Sequence, residues 1–192
     1  MISTVSKQVD SDKAVRVIAL AFSADPVVRW AYPDPGDYYT YFPRFIRAFA
    51  GGAFEAGSAF VSEGYAGAAL WLPPGVHADE EQLDAIVEES IAEELQGPIG
   101  EIIEMQTACH PDEPHWYLPM IGVDPVHQGK GYGSRLLAQA LSVVDSEGLP
   151  AYLEATTPAS RALYERHGFE VVRELQVAGS PPMWPMVRPS SH

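Results

Sequence analysis

Residues 128–134, with the sequence Gln-Gly-Lys-Gly-Tyr-Gly-Ser, constrain the fold of this chain more than any other segment. They follow a short apolar run at residues 120–123 and precede a helical pattern in which Leu136, Leu137 and Leu141 share one face. Glycine lets the backbone turn sharply and brings successive N–H groups close to an anion at the start of a helix. The segment therefore predicts a strand, a phosphate-binding turn and a helix, in that order.

Length and composition predict one globular domain of mixed α/β class over residues 1–192. The chain has 192 residues and 46% of them are hydrophobic, which is enough for a substantial core but cramped for two domains. We find no apolar run near the ~20 residues of a membrane span and no secretory signal at the N-terminus. Together with the single cysteine, Cys109, these features predict a cytoplasmic protein.

The charge argues against nucleic acid and membrane partners. The net charge is −14 at pH 7, whereas binding to phosphates needs clustered Lys and Arg. Much of the acid lies in residues 79–104, which contain no Lys or Arg. This stretch fits either a solvated helix face or a surface for a cationic substrate or partner. No histidine shows the spacing of a metal site, so we expect no metal.

Helical periodicity dominates the first half of the chain. Apolar spacing predicts a helix that begins at about Ser11, with Ser11 or Asp12 as its cap, and a second helix through residues 39–49. The pattern is helical again over residues 79–105. We interpret that stretch as two helices divided at Gly97, which a proline follows.

Strand patterns occur in both halves of the chain, and a further helix is expected at residues 158–167. The predicted strands are residues 4–8, 58–62, 66–72, 115–123, 151–155, 169–174 and 183–188. In the strand 115–123, Pro119 cannot donate to a ladder and Gly122 has no side chain to pack. We therefore expect a bulge or a splay in that strand.

Two nucleotide-binding patterns come close to the glycine segment. Gly129, Gly131 and Ser134 approach the dinucleotide fingerprint, but they lie past the middle of the chain, where too little sequence remains for the further units of such a domain. A P-loop would require a glycine where Asp124 stands. Both interpretations are weak.

The motif Gln128-x-x-Gly131-x-Gly133 resembles the acetyl-CoA motif of the GNAT superfamily of N-acetyltransferases, which directly follows a central strand. Residues 163–169, Leu-Tyr-Glu-Arg-His-Gly-Phe, are similar to the segment that ends the last core helix of that family. A narrower resemblance, to the puromycin N-acetyltransferases, is carried by segments such as residues 113–118. The resemblance implies the GNAT acyl-CoA N-acyltransferase fold, a splayed and mostly antiparallel sheet flanked by helices.

The resemblance also implies where acetyl-CoA binds. The cofactor motif covers about residues 115–170, and the acceptor side is formed mainly by residues 11–110. Backbone groups on the splayed strand would pair with the pantetheine arm and polarise the thioester carbonyl. The implied cofactor-binding residues are Ile121, Gly122, Val123, Gln128, Gly129, Lys130, Gly131, Tyr132, Gly133, Ser134, Ser160 and Tyr164. Many relatives have Asn near Ser160, and a helix cap by Ser160 or Thr157 is the alternative role.

Two side chains are candidates for the proton transfers of acetyl transfer. Tyr164 is a phenol that can protonate the departing thiolate, and the resemblance places it beside the CoA sulfur. Glu154 ends a strand near the predicted splay and is a candidate base for the substrate ammonium. It fits equally well as a salt bridge that orients the substrate or as a solvated strand end. His115 and Glu113 are weaker base candidates.

Aromatic residues of the first half suggest the acceptor pocket. Trp30, Tyr38 and Phe42 are the candidate substrate contacts, together with Glu154, and they would suit an aromatic or apolar amine. We predict direct transfer of an acetyl group to a primary amine of a small molecule, by a monomer or homodimer. Two alternatives remain open: a noncatalytic acyl-CoA sensor or partner-binding module, and the acetylation of a protein or peptide amine.

Overall fold

The computed structural model describes residues 9–190, so the strand predicted at residues 4–8 lies outside the described residues. The helices are α1 (Ser11–Ala21), α2 (Pro26–Ala31), α3 (Pro35–Ala50), α4 (Gly52–Glu55), α5 (Glu80–Ser90), α6 (Glu93–Thr107), α7 (Tyr132–Glu147) and α8 (Pro158–Glu165). The strands are β1 (Ala59–Val61), β2 (Gly67–Leu72), β3 (Trp116–Val123), β4 (Ala151–Ala155), β5 (Glu170–Val171) and β6 (Trp184–Arg188). Every helix among residues 9–190 is too short or too polar to span a lipid bilayer.

The strands form one sheet in the order β1-β2-β3-β4-β6-β5. Strands β3 and β4 are parallel, and the other neighbouring pairs are antiparallel. Alternate residues of β2 face opposite layers, as the period of a strand requires. Leu70 packs in a core with α1 and α3, while Trp71 packs in a second core with α7. The predicted fold, a mostly antiparallel open sheet flanked by helices, is confirmed.

The irregularity that we predicted in β3 is present. Strand β3 pairs with β2 in one register up to Tyr117 and in another from Met120, which leaves Leu118 and Pro119 opposite Trp71 alone. On its other side β3 pairs with β4 only through its first residues, ending at Leu118. Because the two parallel strands stop pairing there, the sheet opens beyond Leu118.

Gly122 brings a helix unusually close to β3. A Cβ at this position would lie 2.7 Å from the Cβ of Ala21 and 3.2 Å from the Cα of Ile18. Both of these residues belong to α1, which covers this part of the sheet. The absence of a side chain at Gly122 therefore allows α1 to pack directly on the strand that carries the splay.

We expect Gly122→Ala to lower the free energy of unfolding by about 1–3 kcal/mol, because α1 must move away from β3. Urea unfolding measures this change. Gly100→Ala in α6 is the matched control, since a Cβ there meets no atom within 4 Å. Alanine favours a helix, so the control should gain about 0.5–1 kcal/mol. Equal stability of Gly122→Ala and the unmodified protein would contradict the close contact.

The predicted cap of α1 was wrong. The carboxylate of Asp10 accepts a hydrogen bond from the Lys13 N–H at 3.1 Å, so Asp10 is the N-cap. Ser11 and Asp12 lie inside the helix instead. Several adjacent polar residues can cap a helix, and the one with extended backbone at the turn takes that role.

The predicted division of the acidic segment was also wrong. Helix α5 ends at Ser90, and Ile91 adopts an extended backbone with its side chain buried in the core. Helix α6 then runs through Gly97 and Pro98. A proline within the early part of a helix costs one hydrogen bond. The two helices are divided at Ile91 instead, where the backbone is extended and the side chain is buried.

Candidate active site

The glycine segment forms the predicted turn between β3 and α7. Gly129 and Gly131 have φ angles of 73° and 79°, in the left-handed region that favours glycine. Gly131 is the N-cap of α7 and no side chain caps this end. The first hydrogen bond of the helix runs from the Arg135 N–H to the Gly131 carbonyl at 3.1 Å. The preceding N–H groups of α7, which no described residue accepts, are available to an anion.

Side chains of the motif support the turn. The Gln128 amide donates to the Val123 carbonyl at 3.1 Å, and Lys130 Nζ donates to another carbonyl of this segment at 2.9 Å. Arg135 donates to the Lys130 carbonyl at 3.1 Å while its guanidinium lies 4.6 Å from the ring centre of Tyr132. These contacts hold the backbone donors of the turn in position.

Helix α8 packs against the same end of α7. A Cβ at Gly133 would lie 3.3 Å from Leu163 Cδ2, so a small residue is needed at this contact. The Ser134 hydroxyl and His167 Nε2 are hydrogen-bonded at 2.7 Å. These two contacts hold α8, the helix that carries Tyr164, against the first turn of α7.

Ser160 has the capping role that the sequence offered as its alternative. The Thr157 hydroxyl accepts a hydrogen bond from the Ser160 N–H at 3.0 Å, and the Ser160 hydroxyl accepts one from the Thr157 N–H at 3.2 Å. This reciprocal capping box begins α8. It therefore helps to place Tyr164 in the second turn of the helix.

Tyr164 is buried, and its ring lies 6.1 Å from that of Phe169. Its hydroxyl makes no hydrogen bond with any residue that the structure describes. Burial raises the pKa of Tyr164, and the nearby charges of Asp25 and Glu154 raise this pKa further. The phenol is therefore protonated at neutral pH and its proton is not engaged by a described acceptor.

Asp25 connects the first half of the chain to the end of β4. One carboxylate oxygen accepts the N–H groups of Val27 and Val28 at 3.0 and 3.1 Å, and the other accepts the Thr156 hydroxyl. Burial raises the pKa of this carboxyl. We did not predict a role for Asp25 or the helix that it begins. An Asp followed by Pro26 at the first helical position was the available signal.

Glu154 is buried beside the opening of the sheet, with 7% of its side chain exposed. Its Oε2 accepts a hydrogen bond from the Tyr117 hydroxyl at 2.9 Å. Its Oε1 is buried and accepts none within the described part of the chain. Burial raises the pKa of Glu154 to about 7. The interpretation of Glu154 as a solvated strand end was wrong, and its carboxyl is suited to exchange protons near neutral pH.

Two histidines adjoin this carboxyl. His110 Nε2 lies 4.0 Å from Glu154 Oε1, and His110 Nδ1 is hydrogen-bonded to His115 Nε2 at 2.9 Å. The His110 ring also lies 3.9 Å from the ring centre of Tyr152. Burial, and then the charge of His115, lower the pKa of His110 to about 4. We did not predict His110 or Tyr117, because no local pattern relates them to Glu154.

An open cleft of about 740 Å³ leads to these residues. The loop after β2 and the loop before β3 form the two sides of this cleft. Its lining includes His110, His115 and Tyr117. Three carboxylates border it, and the described lining contains no Lys or Arg. A cationic amine is therefore electrostatically suited to this cleft.

Tyr38 and Phe42 belong to the core and not to the cleft. Each is 1% exposed, their rings stack at 5.1 Å, and the Tyr38 hydroxyl donates to the Ala19 carbonyl. Their burial between α1 and α3 assigns them a packing role in place of the predicted substrate contact. Trp30 is half-buried and packs in the cluster that contains Tyr152, so it lies on the same side of the fold as the two histidines.

Among residues 9–190, no group of three or more His, Cys, Asp or Glu side chains is arranged to hold a metal ion.

The sheet that opens at β3 and the glycine turn between β3 and α7 are the two features that the motif resemblance implied. The chain belongs to the GNAT family of acetyltransferases, whose family model matches residues 63–169. The matched part includes β3, the turn and α8, so the resemblance seen in the motifs is confirmed at the level of the family. The narrower resemblance to the puromycin N-acetyltransferases stays a prediction.

Two curated relatives share part of their sequence with the chain. An uncharacterised N-acetyltransferase of Schizosaccharomyces pombe is 31% identical over 118 residues, which are 55% of this chain and 47% of that protein. The mycothiol acetyltransferase of Beutenbergia cavernae is 38% identical over 65 residues, 32% of this chain and 22% of that protein. The chain thus matches about half the length of the first relative and less of the second.

Solved structures match nearly the whole chain. A Corynebacterium glutamicum protein described as histone acetyltransferase HPA2 and related acetyltransferase has a TM-score of 0.68 and 28% identity, covering 100% of this chain and 96% of that one. The Drosophila melanogaster polyamine N-acetyltransferase has a TM-score of 0.65 and 15% identity, covering 97% and 96%. Arylalkylamine N-acetyltransferase 2 of Aedes aegypti has a TM-score of 0.66 and 16% identity, and the match covers 98% of this chain and 97% of that one. The last two likenesses concern the fold.

Proposed function

We propose that this protein transfers an acetyl group from acetyl-CoA directly to a primary amine of a small molecule. The observation that carries the proposal is the buried Glu154 carboxyl, whose Oε1 accepts no hydrogen bond from the described residues. A buried oxygen without a partner is costly unless a ligand satisfies it. An amine supplies the missing donor, and the acidic border of the adjoining cleft favours a cation.

The residues present fit acetyl-CoA. The unpaired N–H groups that begin α7 suit a pyrophosphate, since the positive end of a helix dipole lies there. Beyond Leu118, β3 does not pair with β4, which leaves that side of Ile121 and Val123 for the pantetheine arm. Acetyl-CoA supplies the acetyl thioester when it binds. Lys130, Gly133 and the other motif residues would act mainly by shaping this turn.

Glu154 acts as the base in this proposal. Its Oε2 is held by Tyr117, so Oε1 is the oxygen that can take a proton from a substrate ammonium. The pKa of about 7 leaves a useful carboxylate fraction at neutral pH. Tyr164, with its unengaged hydroxyl, gives a proton to the departing thiolate. Backbone N–H groups near Val123 stabilise the oxyanion.

A thiol-release assay with acetyl-CoA tests the proposal. We expect release that depends on a small primary amine, with one acetylated product per thiol in mass spectrometry. The panel should contain aliphatic monoamines, diamines, aromatic amines, aminonucleosides such as puromycin, and lysine peptides. Binding of acetyl-CoA without release for any amine would favour the sensor alternative, and release with peptides alone would favour protein acetylation.

The glycine turn yields a second test of the acetyl-CoA site. We expect Gly131→Ala to raise the KM for acetyl-CoA about 10-fold, because a left-handed alanine costs about 1–2 kcal/mol and displaces the N–H donors. Gly148→Ala is the matched control, since Gly148 has a φ of 66° at the opposite end of α7. The Gly148→Ala variant should lose a similar free energy of unfolding but keep the KM for acetyl-CoA. An unchanged KM in Gly131→Ala would contradict the placement of the pyrophosphate.

A further inference from the structure

The hydrogen bonds of the two histidines determine their tautomers. His115 Nδ1 lies 2.8 Å from the Glu113 carbonyl oxygen, which can only accept, so His115 Nδ1 carries the proton. In the neutral ring His115 Nε2 is then an acceptor. It lies 2.9 Å from His110 Nδ1, which must donate to it. His110 Nε2 is therefore left with a lone pair, on the side of the ring nearest Glu154.

Two acceptors thus converge beside the cleft. His110 Nε2 and Glu154 Oε1 are 4.0 Å apart, too far for a hydrogen bond and too close for a water molecule in line between them. A nitrogen with two N–H groups can lie about 2.9 Å from both atoms at once. A primary ammonium satisfies both acceptors in this way. His110 lines the cleft with 27% of its side chain exposed, so a ligand in the cleft reaches the His110 ring, behind which Glu154 is buried.

We propose that His110 is a catalytic residue that holds the acceptor amine together with Glu154 and passes the proton of the amine to the cleft. The proposal rests on the proposed function and names further residues of the same site. His110 contacts the amine through Nε2. His115 acts through His110, because its Nε2 accepts the Nδ1–H of His110 and so fixes the tautomer, and it is a positioning residue.

The protons balance as follows. The bound ammonium breaks one N–H bond and gives that proton to Glu154 Oε1, which frees the nitrogen lone pair. The C–N bond forms, the C–S bond breaks, and the thiolate takes a proton from Tyr164. The second proton lost by the nitrogen goes to Tyr164 and restores it. Glu154 passes its proton to His110 Nε2, and the same nitrogen releases it to water in the cleft, while His110 Nδ1 keeps its proton and its hydrogen bond to His115 Nε2. One proton leaves per amide formed.

Chemical rescue separates this role from a structural one. We expect His110→Ala to lower kcat for the amine about 100-fold, with the KM for acetyl-CoA unchanged. The lost ring leaves a space against Tyr152, so millimolar imidazole should restore kcat at least 10-fold in the variant and not in the unmodified protein. Glu170→Ala, at an exposed position of β5 outside the cleft lining, is the control and should keep kcat within about twofold, with no response to imidazole.

A second variant removes the positioning residue. His115→Phe keeps His110 but removes the acceptor that holds its proton on Nδ1, and kcat should fall about 10-fold. Near-normal kcat in His110→Ala, or a loss that imidazole does not restore while circular dichroism is unchanged, overturns the proposal. Absence of amine-dependent thiol release in the unmodified protein is a different outcome, which overturns the proposed function itself.

Discussion

Glu154→Gln should lower kcat/KM for the amine by about 10²–10⁴-fold, the range that a positioned acid or base contributes. The amide keeps the size of the side chain and an acceptor for the Tyr117 hydroxyl, but it cannot take a proton. Steady-state kinetics with saturating acetyl-CoA measure the loss. Glu174→Gln is the control. Glu174 also accepts a hydrogen bond from an aromatic side chain, that of Trp184, but Glu174 is exposed and lies outside the proposed site. It should stay within twofold.

The pH dependence of the unmodified protein identifies the same group. Burial raises the pKa of Glu154 to about 7, so kcat/KM should rise with pH through about 7 as the carboxylate forms. The groups that face it do not titrate there, since burial lowers the pKa of His110 to about 4 and raises that of Tyr117 and Tyr152. The rise of kcat/KM near pH 7 should be absent from the Glu154→Gln variant. If the rise persists in that variant, another residue is responsible for it.

The same substitution should stabilise the protein at alkaline pH. The pKa of Glu154 is about 7 in the folded state against an ordinary 4.5, so the folded state holds a proton that the unfolded chain releases between these values. Stability therefore falls as pH rises through this window, by up to about 3 kcal/mol. Glu154→Gln removes this cost. Urea unfolding should show a gain at pH 8 and little change at pH 4, and a loss at pH 8 would contradict the buried carboxylate.

Tyr164→Phe should lower kcat about 100-fold and leave the KM for acetyl-CoA nearly unchanged. The phenol makes no hydrogen bond with a described residue, so its removal leaves no partner unsatisfied, and the free energy of unfolding should change by less than about 0.5 kcal/mol. This combination of lost turnover with intact stability distinguishes a proton donor from a packed ring. Tyr39→Phe, at a largely exposed position, is the control. Normal turnover in Tyr164→Phe would remove this residue from the mechanism.

The prediction from sequence was most accurate where one residue type has a single physical consequence. Pro119 cannot donate to a ladder, and the bulge lies at that residue. The glycines at 129 and 131 have the left-handed backbone that a turn before α7 requires. Gly122 was predicted to bind cofactor through its backbone, but its lack of a side chain is also needed where α1 approaches β3. That second constraint depends on a helix about 100 residues away in the chain.

The prediction was weakest for side chains whose role depends on burial. Tyr38 and Phe42 were candidate substrate contacts, since aromatic residues line pockets as well as cores, and the structure places them in the core. His110 had no assigned role in the sequence. Its proximity to Glu154 arises because the loop before β3 folds back over the parallel pair β3 and β4.

The amino-acid sequence by itself determined the family, through its two motifs, and it determined the glycine turn and the strand irregularity. The turn and the irregularity depend on missing atoms: the Cβ of glycine and the N–H of proline. Tertiary structure alone decided the chemistry of the acceptor side. It buried Glu154 among Tyr117, Tyr152 and His110, which raises the pKa of its carboxyl to about 7 and leaves Oε1 without a hydrogen bond from any of residues 9–190. Desolvation and convergence of distant side chains are properties of the packed sheet, and no local pattern encodes them.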